Sequence, residues 1–381
     1  MIPRARHFVA AALSSALLIV PAFTGIAAHA ASAAVTAAVT TAVTTTASTA
    51  VAPSKVYAVP LAKTLADVKR VADYWRPDRL QKTDLSTPAT PGSGSAASAA
   101  SAGAAAAATV KRTTAAAAVA PALPRKGTAA NTIGKVFFRF GDKEYWCSAA
   151  AVAAKNRSVV ATAGHCAYDS RTAKPADYWI FVPNPEPNGN APDGIYVGAS
   201  ISLHEDWSGK GDYDYDYAFV TVHRGFAWVP KDGAYIMRDI GRLQDNVGGL
   251  GLELNKKPGT YAVTAFGYPA GQQPDGSHPY DGKTLQKCLP GSTRFTVAPG
   301  RDLQKGVELM PCDFSPGASG GPWLLAYDDN RRLGSLAGVN SLTWNRDAKG
   351  RYDSVSAPYF DTTTGEVYRR AAGLTTLSNV T

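Results

Sequence analysis

The stretch Gly317-Ala318-Ser319-Gly320-Gly321-Pro322 places one serine among three glycines, and Thr162-Ala163-Gly164-His165-Cys166 lies upstream of it. A serine hydroxyl is a weak nucleophile at neutral pH, so a reactive serine needs a histidine that takes its proton. All six histidines precede Ser319: they are His7, His29, His165, His204, His223 and His278. The α/β-hydrolase fold, whose Gly-x-Ser-x-Gly turn requires a histidine after the serine, is therefore excluded. A catalytic site whose histidine and aspartate both precede the serine in the sequence remains possible.

The first 30 residues have the features of a secretory signal peptide. Arg4 and Arg6 precede an apolar run over residues 8–20, and Ala28-His29-Ala30 matches the small-x-small pattern after which signal peptidase cleaves. A membrane anchor is the alternative, but it would need about 20 uninterrupted apolar residues, and this run is shorter. We therefore expect a secreted, extracellular protein that has no membrane partner once residues 1–30 are removed.

The formal net charge of +9 does not indicate a nucleic-acid-binding protein. Residues 1–130 contain 13 Lys/Arg and 4 Asp/Glu and so account for the whole excess, whereas residues 131–381 contain 26 of each kind. A phosphate-binding surface needs cations clustered on the folded domain, and the remaining part of the chain is neutral. We expect no nucleic-acid partner.

Residues 31–130 are expected to be a largely disordered pro-region with one short helix. Residues 31–50 and 86–130 consist mainly of Ala, Thr, Ser, Gly and Pro, which leaves few large apolar side chains to bury. Between them, apolar residues recur at helical spacing and predict an amphipathic helix over residues 61–75. Whether this helix packs on the rest of the chain stays open, because one short helix is marginally stable alone.

From Ile133 onward, short apolar segments alternate with Gly, Pro, Asn and Asp clusters, which is typical of β-strands. The predicted strands are 136–140, 148–152, 158–161, 178–182, 195–201, 218–222, 261–267, 306–310, 323–326 and 336–339. Ten or more short strands in about 250 residues predict a β-sandwich or a double barrel. Residues 365–374 are predicted to form a C-terminal helix.

All four cysteines lie in the second part of the chain, and an exported protein uses cysteines mainly for disulfides. No Cys-x-x-Cys spacing points to a metal site, so we expect neither a metal nor another cofactor. Three pairings are possible. We favour Cys147 with Cys166 and Cys288 with Cys312, because each closes a loop of modest length and the first would hold the His165 segment.

The histidine motif and the serine motif, in this order and with Cys147 before the first, carry a family resemblance. Residues 131–381 resemble secreted bacterial trypsin-like serine peptidases of the chymotrypsin family, a group related to the glutamyl endopeptidases. The resemblance implies an all-β fold, a chymotrypsin-like double β-barrel of two six-stranded barrels with the site between them. It also implies a serine endopeptidase that acts on proteins or peptides, and we expect a monomer. The alternative is a catalytically inactive binding or adhesion module with the same fold.

The resemblance assigns catalytic roles to three residues. His165 would be the base, Ser319 the nucleophile that forms an acyl-enzyme, and a buried carboxylate would orient the histidine. Asp216 fits this third role, because the acid of the family directly precedes a short strand that begins x-Ala-apolar, as Asp216-Tyr217-Ala218-Phe219-Val220 does. Asp214 stays open as the alternative, although Asp212 and Asp214 are expected on an exposed loop. The backbone N–H groups of Gly317 and Ser319 would form the oxyanion hole.

Substrate preference depends on positions near the serine motif. Asp313 stands six residues before Ser319, where trypsin-like enzymes place the acid that pairs with a substrate Arg or Lys. Cys312 precedes this acid, whereas trypsin has a cysteine after it. Ser341 lies in a segment that resembles the substrate-binding strand of the family. Glutamyl endopeptidases carry a histidine near the position of Asn340. Because this sequence has no histidine there, glutamate specificity is disfavoured.

Zymogen activation must differ from that of the animal enzymes. Ala318 replaces the aspartate with which animal trypsin-like enzymes bind their new N-terminus. The corresponding ion pair cannot form here, so inhibition by the pro-region would be steric. The Pro124-Arg125-Lys126 segment is the expected site of cleavage.

Overall fold

Two β-sheets contain most of the strand residues that the structure describes. The computed structural model describes residues 55–81 and 130–381, and the described residues belong to one folded unit. The predicted signal peptide, residues 31–54 and residues 82–129 lie outside this description. In the part of the chain that is described, no helix is long and apolar enough to cross a bilayer.

The first described segment contains a strand and two short helices. They are β1 (Val56–Pro60), α1 (Leu65–Tyr74) and α2 (Pro77–Gln81). Helix α1 lies within the predicted range 61–75 and begins where Thr64 caps it: the Thr64 hydroxyl accepts the N–H of Asp67, and the Asp67 carboxylate accepts the N–H of Thr64. Strand β1 was not predicted, because five residues that end in a proline show little periodicity.

The next part of the chain forms a closed barrel. Its strands are β2 (Ile133–Phe140), β3 (Lys143–Val152), β4 (Val159–Thr162), β5 (Tyr168–Asp169), β6 (Lys174–Pro175), β7 (Asp177–Pro183), β8 (Tyr196–His204) and β9 (Ala218–Val222), with α3 (Glu205–Lys210) between the last two. Six of these strands follow the order β2-β3-β4-β9-β8-β7 and close because β7 also pairs with β2. The first predicted six-stranded barrel is therefore confirmed.

A hairpin of β10 (Gly225–Lys231) and β11 (Ala234–Gly241), followed by α4 (Leu243–Val247), comes after the barrel. The prediction missed both strands. The signal was present, since Asp232-Gly233 is a typical hairpin turn and both residues have positive φ angles, 49° and 77°.

The second sheet has eight strands, and among the described strands no pairing closes it, so the second six-stranded barrel stays a prediction. The strands are β12 (Gly251–Leu252), β13 (Ala262–Gly267), β14 (Gln286–Ala298), β15 (Leu303–Leu309), β16 (Pro322–Asp328), β17 (Leu333–Val339), β18 (Leu342–Trp344) and β19 (Ser354–Pro358). Their order is β12-β17-β16-β13-β14-β15-β19-β18, and the short β12 and β18 extend its two ends. Strand β14 was not predicted because Pro290 and Gly291 interrupt its pattern.

The C-terminal helix α5 (Thr362–Ala372) joins the end of the chain to the first barrel. It begins three residues before the predicted start, because the Asp361 carboxylate accepts the N–H groups of Thr363 and Thr364. At its other end, the carbonyl of Ala371 accepts hydrogen bonds from the side chains of Asn156 and Thr221, at 2.8 and 2.9 Å. The helix therefore packs on strands of the barrel.

Both favoured disulfides are present. Cys147 is bonded to Cys166, which ties β3 to the turn that carries His165, and Cys288 is bonded to Cys312. Each bridge restricts the unfolded chain and is expected to stabilise the fold by about 3 kcal/mol. The first bridge also limits where the His165 turn can move relative to the sheet.

Candidate active site

His165 lies in a short 3₁₀ turn, Gly164–Cys166, directly after β4, and its ring faces the carboxylate of Asp216. The ring Nδ1 is 2.9 Å from Oδ2 and 3.1 Å from Oδ1 of Asp216, and the backbone N–H of His165 donates to Oδ1 at 2.8 Å. These contacts require a proton on Nδ1. Nε2 is then the basic nitrogen, and it has no hydrogen-bond partner among residues 55–81 and 130–381.

Asp216 is completely buried and would be costly to ionise without donors around it. Besides the two groups of His165, the hydroxyl of Ser341 donates to Oδ2 at 2.6 Å. Ser341 was predicted to bind substrate, but its side chain lies on the carboxylate that orients the histidine. The contact spans 125 residues of sequence, so no local pattern could have found it.

The aspartates before Asp216 have structural roles. Asp214 was expected on an exposed loop, and this is wrong: it is buried, and its carboxylate accepts the N–H groups of Gln304 and Lys305 at 2.9 and 2.7 Å. Asp212 caps the 3₁₀ turn that follows it by accepting the N–H of Asp214. Among the three acids, Asp216 is therefore the one that contacts His165.

The serine motif packs against the strand end that leads to His165. The backbone carbonyl of Ser319 accepts the N–H of Ser148 in β3 at 2.8 Å. A Cβ atom at Gly320 would lie only 2.1 Å from Oγ1 of Thr162 and 2.8 Å from the nitrogen of Ala163. Only glycine permits this close approach, and Gly320 also has a φ of +78°. The turns that carry His165 and Ser319 are thus neighbours.

Gly317 has a φ of +104°, a conformation that favours glycine. The hydroxyl of Ser148 donates to the carbonyl of Gly317 at 2.9 Å and accepts the N–H of Tyr268 at 2.8 Å. In the described part of the chain, neither the N–H of Gly317 nor that of Ser319 donates to a backbone carbonyl outside the strand ladders. Both N–H groups remain available to an anionic oxygen.

Ser148 was missed as a residue of this site. It holds the Gly317 carbonyl, and Trp146 packs beside it: a Cβ at Gly317 would lie 2.5 Å from the Trp146 ring. The only sequence signal was the position of both residues next to Cys147, which belongs to the histidine motif.

Asp313 and Asn340 differ sharply in their surroundings. Asp313 is exposed, and its carboxylate accepts a hydrogen bond from the hydroxyl of Tyr280, with 2.6 Å between the two oxygens. Burial, and next the Asp313 hydrogen bond, raise the pKa of Tyr280, which therefore stays a donor.

Asn340 is buried: it accepts from the Trp323 ring and donates to the carbonyls of Phe266 and Ala318. Its side chain therefore braces the serine turn.

One cluster of metal-ligating residue types occurs within the described ranges, formed by Cys147, His165 and Cys166. Both cysteines are consumed by their disulfide, so neither supplies a thiolate. The cluster does not have the donors of a metal site.

Comparisons with known proteins agree on one family. Residues 125–363 match the family model described as Trypsin. The structure of AL20, a thermostable serine protease from an extremophilic microorganism, is 27% identical, with 65% of this chain and 100% of that chain covered and a TM-score of 0.52. Protease Anisep from Arthrobacter nicotinovorans is 29% identical, with 65% and 98% covered and a TM-score of 0.51. No curated protein sequence matches significantly.

Proposed function

Because the chain belongs to the trypsin family and is a serine endopeptidase, we propose that it cleaves proteins through a triad of His165, Asp216 and Ser319. The observation that carries this proposal is the buried contact between His165 and Asp216. It places a carboxylate behind Nδ1 and leaves Nε2 free to accept a proton. A general base needs this arrangement, in which a buried carboxylate orients the imidazole and stabilises its protonated form.

In the proposed reaction, the Ser319 oxygen attacks the substrate carbonyl while Nε2 of His165 takes the hydroxyl proton. The carboxylate of Asp216 stabilises the imidazolium that results. The carbonyl oxygen becomes an anion and accepts the N–H groups of Gly317 and Ser319, each worth roughly 3 kcal/mol in the transition state. Collapse of this intermediate breaks the C–N bond, and Nε2 gives its proton to the leaving amine. Water then hydrolyses the acyl-enzyme by the same steps.

The proposal is tested with a peptidyl organophosphonate, which forms a stable ester only with an activated serine. The folded protein is expected to take up one equivalent on Ser319, as located by mass spectrometry of its peptides, and to lose its activity against casein. Urea-denatured protein is the control, because unfolding separates the histidine from the serine. A folded protein that takes up no reagent would support the inactive binding module instead.

We also propose that residues 1–30 direct secretion and that residues 31–130 form a pro-region cut near Pro124-Arg125-Lys126. Two disulfides support an oxidising compartment. Ala318 supports an activation that does not depend on an ion pair with the new N-terminus.

For specificity, we propose that Asp313 favours substrates with Arg or Lys at the cleaved bond. Asp313→Ala is expected to lower kcat/KM for an arginyl anilide roughly fivefold, since an ion pair with an exposed carboxylate is worth about 1 kcal/mol. A phenylalanyl anilide serves as the comparison substrate. Tyr280→Phe is the matched control, because it removes the hydrogen bond to Asp313 and keeps the carboxylate. Unchanged release from the arginyl substrate would end the idea.

A further inference from the structure

Residues 55–81 lie outside the part of the chain that matches the trypsin family, which begins at residue 125. They nevertheless belong to the same folded unit as the barrel. We refer to them as the N-terminal segment. Three of its contacts with the rest of the fold carry the argument, namely a strand pairing, a buried aromatic anchor and a histidine clamp.

The strand pairing supplies backbone hydrogen bonds to the part of β8 that β7 does not reach. On one side of β8, strand β7 pairs only with Tyr196 and Val197, and β1 then pairs antiparallel along residues 200–204. Backbone hydrogen bonds continue beyond both ends of the ladder, from Leu61 to Ala199 at 2.9 Å and from Glu205 to Lys55 at 2.8 Å. Without β1, this stretch of β8 would present unpaired backbone groups at a sheet edge.

The aromatic anchor is Trp75, whose side chain is fully buried although it follows a short surface helix. Its ring N–H donates to the carbonyl of Tyr178 in β7 at 2.5 Å, and its ring centre lies 5.8 Å from that of Phe137 in β2. Helix α1 buries Val68 and Val71 on the same side. Burying a tryptophan in this way is among the largest contributions that one side chain makes to an interface.

The histidine clamp joins the N-terminal segment to the end of the chain. Nε2 of His223 is 2.9 Å from the carbonyl of Ala62, and Nδ1 is 3.2 Å from the backbone nitrogen of Leu377. Burial lowers the pKa of His223, which favours the neutral ring. A neutral ring with its proton on Nε2 donates to Ala62 and accepts from Leu377, so both contacts form at once.

The N-terminal segment also contacts the helix that packs against the candidate active site. The hydroxyl of Tyr57 in β1 is hydrogen-bonded to that of Ser208 in α3. In the same helix, Trp207 packs so closely on Gly164 that a Cβ there would lie 2.9 Å from the ring nitrogen. Gly164 begins the turn that holds His165. The contacts of the segment thus reach this turn through α3.

We propose that the N-terminal segment is a permanent, non-covalent light chain of the enzyme, which stays bound after the chain is cut between residues 82 and 129. The inference rests on the proposed function in one respect: the natural protein consists of two chains only if it is cut near Arg125, as proposed above. No disulfide can hold the segment, because the first cysteine of the chain is Cys147. Non-covalent contacts must hold it instead, strand pairing and Trp75 among them.

The test uses the full chain with Ser319→Ala, so that self-cleavage cannot interfere, and with the recognition sequence of a site-specific protease inserted after residue 100. After complete cutting, the two fragments are expected to co-elute from a size-exclusion column and to separate only in denaturant. Elution of the N-terminal fragment apart from the body under native conditions would overturn the proposal. Neither outcome depends on catalytic activity or on the natural processing site.

Matched variants show which contacts hold the light chain. Trp75→Ala is expected to weaken retention roughly a hundredfold or more, whereas Lys69→Ala, on the exposed side of α1, should leave it unchanged. Thermal unfolding of each uncut variant shows whether it is folded. If Trp75→Ala does not fold, co-elution of the fragments with Trp75 intact still decides the proposal. Equal retention of both folded variants would contradict the role of Trp75.

Discussion

Replacing Ser319 by alanine is expected to lower kcat roughly a millionfold and to leave the protein folded. The hydroxyl is the group that would attack the substrate, and in serine protease triads its loss costs about as much as the loss of the whole triad. Ser319 contributes its backbone carbonyl, through the hydrogen bond from Ser148, to the packing of the turn, and alanine retains that carbonyl. The measurement is hydrolysis of a peptide anilide at a protein concentration fixed by absorbance, with thermal unfolding as the check of the fold.

His165→Ala and the double variant form the control for this prediction. Because the histidine and the serine act as one unit, the double variant should be no slower than either single variant. The remaining rate would come from binding and from the N–H groups of Gly317 and Ser319. Retention of more than about a hundredth of the activity by Ser319→Ala would show that another group performs the attack.

Asp216→Asn is expected to lower kcat about ten-thousandfold at neutral pH, the loss that this change causes in a serine protease triad. The carboxylate accepts hydrogen bonds from the His165 backbone, the His165 ring and Ser341. An amide offers one oxygen and an NH₂ group. The NH₂ group donates to Nδ1 and so favours the tautomer of His165 in which Nδ1 carries no proton. Nε2 then carries the proton and cannot take another from Ser319. The rate is measured against the same anilide.

Asp214→Asn is the matched control, because it makes the same chemical change two residues away. It weakens the hydrogen bonds from Gln304 and Lys305 and is expected to lower stability by about 1–2 kcal/mol, with less than a tenfold effect on kcat. If both variants lost activity equally, the choice of Asp216 over Asp214 would be wrong. Full activity of folded Asp216→Asn would remove the carboxylate from the mechanism.

Helices α1 and α5 and ten of the nineteen described strands could be predicted because their causes are local, whereas the short helices α2, α3 and α4 were not predicted. Each of the ten predicted strands overlaps an observed one, since alternating apolar residues between turn residues mark a half-buried strand. Strand β14 was not predicted because a proline and a glycine interrupt its alternating pattern. Strand β1 was not predicted because its own sequence has no alternating pattern. It is stabilised by pairing with the edge of β8, about 140 residues away.

The sequence by itself determined the family, through two short motifs whose order and residue types are dictated by the chemistry of an activated serine. It also indicated both disulfides and singled out Asp216, which precedes a recognisable strand. Tertiary structure alone decided that Ser341 lies on Asp216, that Ser148 holds Gly317, and that the N-terminal segment pairs with β8 of the barrel. The physical reason is distance along the chain. Hydrogen bonds and packing act over a few ångströms in space, so partners more than 100 residues apart leave no periodic trace in the sequence.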